Sequence, residues 1–300
     1  MVGVSNTIGF IGFGEVAYTF SKAMRTAGAD IIVYDKLFEE EEKAFKKKQL
    51  AKEIDVSTET LGTLLEESSI ILSTVTTQEA SNVATKCAPM LRPEQIFVDL
   101  NSTSPRKKIE ISRIIQDSKA VFVEGAILEA IGTAGSKTRI LIGGPEGQNI
   151  TSILNGYGLN AVFYSQQIGR ASAFKMFRSI FTKGVEALLL EMLVAGKRAG
   201  IEEDLWEDVT RLMKSRPFDE IAKTWILTHA TASERRYHEM LQVLEAMNEI
   251  GIKPLVAEGT SSYFKQSVDS GLSEAFASKP GTINELVSFI EANLPQNQKT

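Results

Sequence analysis

A chain of 300 residues, 43% hydrophobic and 24% charged, has material for a sizeable core and a length that favours two domains. A formal net charge of −5 without a long basic cluster argues against a nucleic-acid face, and one cysteine (Cys87) with two histidines (His229, His238) argues against disulfides and multi-histidine metal centres. No apolar stretch reaches membrane-spanning length and no basic region precedes the first apolar run, so no membrane partner and a cytoplasmic location are expected.

The first half alternates apolar runs with helical patterns. Strands are expected at 7–11, 30–34, 69–74, 95–99, 120–124, 138–142 and 160–164, and helices near 15–27, 37–52, 58–67, 78–88, 105–117 and 146–155. This is the pattern of an α/β, doubly wound, mainly parallel sheet. The first run ends in Gly12-x-Gly14-x-x-Ala17 and opens directly into a helical segment. Gly12 permits a tight turn, Gly14 has no Cβ to hold a pyrophosphate off the backbone, and Ala17 lets helix and strand pack closely. Gly12, Phe13, Gly14, Glu15 and Val16 are therefore the expected dinucleotide contacts, with first-turn N–H groups and the helix dipole facing the phosphates. Asp35 closes the second run, where a carboxylate accepts from ribose hydroxyls and repels a 2′-phosphate. NAD is favoured on that ground, and Lys36 could offset the repulsion and admit NADP. The charge run Glu39–Lys48 reads as a solvated helix face whose acids and lysines pair with one another.

Two further segments sit at expected strand ends. Thr74, Val75 and Thr76, with Thr77, should run alongside the cofactor, although a hydroxyl-rich turn capping the next helix explains them equally well. In Asp99-Leu-Asn101-Ser102-Thr103-Ser104-Pro105, Pro105 suits a first helical turn and Thr103 or Ser104 a cap. The rest of the cluster, with Asn101 at the nicotinamide end, can hold a carboxylate with hydroxyls and helix N–H groups.

Strand signals stop near residue 165. One long helical pattern runs from Gly169 to Gly200, followed by helices at 202–214, 218–227, 231–250, 254–269 and 282–293. Domains of 1–166 and 167–300 follow, joined by the long helix. Lys175 lies one turn inside that helix, on a polar stripe with Ser179, Thr182 and Glu186. A solvated lysine is one reading. Beside an oxidised nicotinamide, partial burial and the cationic ring would lower its pKa and make it an acid/base. Arg235, Arg236, His238 and Glu239 form a polar concentration open to three readings: solvated face, dimer contact or anion clamp.

Gly9-x-x-Gly12-x-Gly14, Asp99-x-x-Ser102/Thr103-x-Pro105 and Gly169…Lys175 occur in that order. Together they resemble the β-hydroxyacid dehydrogenases, the superfamily of 6-phosphogluconate and 3-hydroxyisobutyrate dehydrogenases, over nearly the whole chain. The resemblance implies a Rossmann-type domain followed by a helical domain, NAD(P), a catalytic lysine at Lys175 and substrate contacts from Ser102 and Thr103. It also implies a homodimer formed through the helical domain. The family's Ser-Gly-Gly after the sixth strand is missing from Glu124–Ala130, and its asparagine falls on Arg178 or Ser179. These departures mark a divergent branch with its own C-terminal helical domain. They assign substrate contacts to Arg178 and Ser179, with a surface ion pair as the alternative for Arg178. The expected function is hydride transfer between NAD(P) and a small anionic β-hydroxy acid or its carbonyl form. An imine reductase on the same scaffold and a non-catalytic dinucleotide-binding protein are the alternatives.

Overall fold

The computed structural model describes residues 7–294. The flanks of the two expected domains, residues 1–6 and 295–300, lie outside the described residues, as does the N-terminal stretch read for a targeting signal. Strands β1 (Ile8–Ile11), β2 (Ile31–Tyr34), β3 (Ser57–Thr58), β4 (Ile70–Ser73), β5 (Ile96–Asp99), β6 (Val121–Ile127), β7 (Arg139–Gly143) and β8 (Asn160–Ser165) form one sheet. Its order is β3-β2-β1-β4-β5-β6-β7-β8. Every neighbouring pair is parallel except β6 with β7. The first six strands thus follow the doubly wound dinucleotide-binding order, whose switch point lies between β1 and β4.

The apolar runs make this sheet because both of its faces are covered. Phe10, Val33, Leu72, Val98 and Val123 bury on one face, and Ile11, Ile32, Ile71, Phe97 and Phe122 on the other. Successive residues point to opposite sides, so a run apolar at every position suits a sheet with helices above and below.

Beyond Ser165 no strand occurs among the described residues. The chain continues through helices Arg170–Ala199, Glu202–Lys214, Phe218–Glu249, Leu255–Asp269, Leu272–Ala275 and Ile283–Ala292. It divides into two compact units at Ile180/Phe181, inside the long helix. The architecture is therefore a Rossmann-type, mainly parallel α/β sheet followed by an all-α unit. No helix among the described residues is long and apolar enough to cross a membrane.

Three sequence expectations need correction. The helices expected at 218–227 and 231–250 are one helix, because the polar stretch between them holds no glycine or proline to stop it. The two-residue β3 is too short to leave a periodicity signal, and it exists by pairing with Ile32 and Val33. The short helix Ile131–Ala134 occupies what read as a connection.

Candidate active site

The glycine turn leaves β1 at its carboxyl end. Gly12 has φ +90°, and a Cβ there would lie 2.8 Å from the Thr74 carbonyl oxygen, so only glycine fits. Thr74 Oγ1 donates to the Gly12 carbonyl at 2.8 Å, while Gly12 N–H donates to the Tyr34 carbonyl at 2.8 Å. Thr74 thus clamps the turn, a role that neither sequence reading of it gave. Around Gly14 the position of a Cβ is open, and the helix Glu15–Thr26 that follows has no side-chain cap. Its first-turn N–H groups and bare glycine backbone fit a pyrophosphate. Ala17 is fully buried, as close helix–strand packing requires.

A cavity of about 390 Å³ beside the turn is lined by Gly12, Gly14, Asp35, Lys36, Lys47, Thr74, Val75, Thr76 and Glu79. Asp35 is buried at the end of β2. It accepts from Phe13 N–H at 2.8 Å, Leu37 N–H at 2.9 Å and Lys47 Nζ at 2.6 Å. Burial alone would raise its carboxyl pKa, but the Lys47 ammonium and the two backbone N–H groups outweigh burial and hold it below the ordinary carboxylate range. Burial, helped by Glu39, pushes the Tyr34 phenol up to about 12. Phe13 contributes only backbone here, since its ring is packed in the core.

A second cavity, of about 480 Å³, is lined by Glu15, Val16, Thr74, Val75, Thr76, Asn101, Ser102, Glu129 and Lys175. The half-buried Lys175 donates from Nζ to Ser102 Oγ. The Ser102 carbonyl accepts from Thr77 Oγ1 at 3.0 Å. Asn101 is set from beneath: its N–H donates to Asp99 Oδ1 at 2.9 Å and its Nδ2 to Ser73 Oγ at 2.9 Å. Asp99 is itself paired with Lys108 at 3.1 Å, both side chains buried. The segment also takes its capping role, since Ser104 Oγ accepts from Lys107 N–H at 3.3 Å.

Not every expected residue comes to these cavities. Thr103 is buried and lines neither of them. Arg178 donates to the Leu128 carbonyl at 2.9 Å and lies 3.9 Å from Glu129, so its guanidinium braces the loop after β6. Ser179 Oγ donates back to the Lys175 carbonyl at 3.0 Å.

Two residues that sequence reasoning passed over matter more. Lys47 leaves its charge run to pair with Asp35, so that run is not wholly a solvated face; the side chains of Glu41 and Glu42 within it lie outside the described residues. Glu124 is fully buried and accepts from Gly169 N–H at 2.8 Å, Ala171 N–H at 3.0 Å and Ser172 Oγ at 2.8 Å. It anchors the start of the helix that carries Lys175. A lone acid inside an apolar strand was the signal available for it.

Residues 7–164 match the family described as the NAD binding domain of 6-phosphogluconate dehydrogenase, and residues 197–267 match a domain family of unknown function. An uncharacterised 28.5 kDa protein of Methanothermus fervidus is 30% identical over 262 residues, 86% of this chain and 97% of that one. A solved conserved protein of unknown function, described as structurally similar to 3-hydroxyacid dehydrogenases, is 31% identical across 89% of this chain and 98% of its own, with a TM-score of 0.60. The imine reductase of Myxococcus stipitatus, solved with NADP+, is 19% identical over 95% of this chain and 99% of that one, and its TM-score of 0.76 shows a shared fold. With the glycine turn, the strand order and this match over half its length, the chain belongs to the family of the 6-phosphogluconate dehydrogenase NAD-binding domain.

Proposed function

We propose that the protein is an NAD(P)-dependent oxidoreductase that moves hydride between the nicotinamide and a small β-hydroxy acid or its carbonyl form. The observation carrying this reading is the Lys175 Nζ held on the Ser102 hydroxyl, on the wall of a cavity that also borders the glycine-turn helix. The nicotinamide supplies or accepts hydride when bound. As the neutral amine, Lys175 takes the hydroxyl proton in oxidation and becomes the ammonium that returns it in reduction, and Ser102 orients the reacting oxygen. Asn101, fixed by Asp99 and Ser73, supports the nicotinamide end. Arg178, on the Leu128 carbonyl, and Ser179, on the Lys175 carbonyl, hold the loop and the helix around the substrate.

A second reading is favoured by Glu15 and Glu129, two carboxylates on the wall of the Lys175 cavity. Their charge suits a cationic C=N group better than a carboxylate, so cyclic imines belong in the substrate panel beside small hydroxy acids. Assembly is proposed as a homodimer through the helical unit, supported by exposed Leu190, Val194, Trp206 and Trp225.

Lys175→Met is the test. It should lower kcat by roughly 10²–10⁴ on whichever substrate the wild type turns over, with NADH affinity kept. Unchanged turnover would remove the lysine mechanism. Tight nucleotide binding without turnover by the wild type on either substrate class would favour a binding protein.

A further inference from the structure

The ribose corner holds more charge than the acid at the end of β2. Asp35 spends its carboxylate on Phe13 N–H, Leu37 N–H and the Lys47 ammonium at 2.6 Å. Lys47 also donates to the Phe13 carbonyl at 2.7 Å, so two of its three N–H groups are used within the described residues and one is left. Lys36 pairs with Glu79 at 3.1 Å across the same cavity, where its side chain is exposed. Two cations and two anions therefore line this corner, and their charges cancel.

An isolated carboxylate at this place discriminates by accepting from a ribose 2′-hydroxyl and repelling a 2′-phosphate. Here the repelling charge is already neutralised by a lysine held within direct contact. That lysine comes from the helix Glu41–Glu53, outside the glycine turn and the acid that the dinucleotide pattern specifies. Its remaining N–H can meet a 2′-hydroxyl or a 2′-phosphate oxygen, and the exposed Lys36 can turn from Glu79 to a phosphate.

We propose that Lys47 is a specificity-determining residue of the nucleotide site, masking Asp35 so that NADP is accepted alongside NAD. The inference rests on nucleotide binding by the family and is independent of the proposed chemistry. Binding alone tests it. Dissociation constants for NADH and NADPH, measured by titration calorimetry on the full chain without substrate, should lie within about tenfold of one another in the wild type. Lys47→Met should weaken NADPH at least about tenfold more than NADH, Lys47→Arg should largely restore NADPH, and Asp35→Asn should tighten NADPH relative to NADH. Wild-type preference for NADH beyond about tenfold, or equal loss of both nucleotides in Lys47→Met with a folded circular-dichroism spectrum, would overturn it. Should Lys47→Met fail to fold, Asp35→Asn decides: an unchanged NADH-to-NADPH ratio there overturns the proposal as well.

Discussion

Up to Ile180 the chain buries phenylalanine, isoleucine and leucine on both faces of a sheet, whereas beyond it Leu190, Val194, Trp206 and Trp225 remain about half exposed. The first unit completes its core within one chain. It also buries charge, and each buried charge has a partner: Lys108 on Asp99, and Glu124 on the first turn of the long helix. Both pairs lie directly behind Asn101 or Lys175. The second unit has a small fully buried cluster, Ala230, Leu272 and Leu286, with Phe276, Phe289 and Ile290 packed against it. It uses the Glu124 device where Glu191 accepts from Val256 and Ala257 N–H at 2.8 Å each. The difference teaches that the surroundings of Asn101 and Lys175 are fixed by contacts within the first unit, while the helical unit keeps apolar side chains exposed.

The contrast breaks most visibly at Glu124. Glu124→Ala would leave two backbone N–H groups and the Ser172 hydroxyl without their acceptor in a buried position, a loss of about 3 kcal/mol or more in urea unfolding. Glu124→Gln keeps the shape and one acceptor oxygen and should lose less. A cost below about 1 kcal/mol for the alanine variant would show that the helix start needs no anchor.

The exposed face of the second unit is tested by association. Trp225→Glu should leave the monomer folded but weaken self-association by about 2–4 kcal/mol, read by sedimentation equilibrium, if this face meets another copy. A wild type that stays monomeric at every concentration would end the comparison, because the exposed side chains would then have no cover to lose.

What could be read from the sequence divides along local and non-local lines. Gly12, Gly14, Ala17 and Asp35 announced themselves because a turn, a close approach and a strand end each restrict the residue type within a few positions. Apart from the two-residue β3, the strands of the first unit are legible because sheets covered on both faces demand unbroken apolar runs. Lys47 was not, since its partner lies on another element and its neighbours are lysines that look like any solvated helix face. Arg178 carried the right charge for a substrate clamp, but the carbonyl of Leu128 takes its guanidinium, and nothing local specifies that bond. The single helix Phe218–Glu249 reads in the sequence as two because of a polar patch, whose histidine is buried in the structure.

That histidine gives the smallest predicted effect. His229 lies under Phe264, with ring centroids 4.7 Å apart, and its Nε2 is 3.0 Å from Ser267 Oγ, while its Nδ1 is buried without a hydrogen-bond partner among the described residues. Burial, and then the charge of Arg236, push its pKa below the ordinary imidazole value. As acid is added, the unfolded chain takes up this proton first, so the neutral ring's contribution is complete above the unfolded pKa. It is lost as pH falls from there towards the folded value. Melting temperatures compared at about pH 7.5 and about pH 5.5 should therefore fall with acid in the wild type, and fall less in His229→Gln. Parallel pH profiles for the two proteins would mean that the ring takes its proton as readily folded as unfolded, and that Arg236 and Phe264 do not govern it.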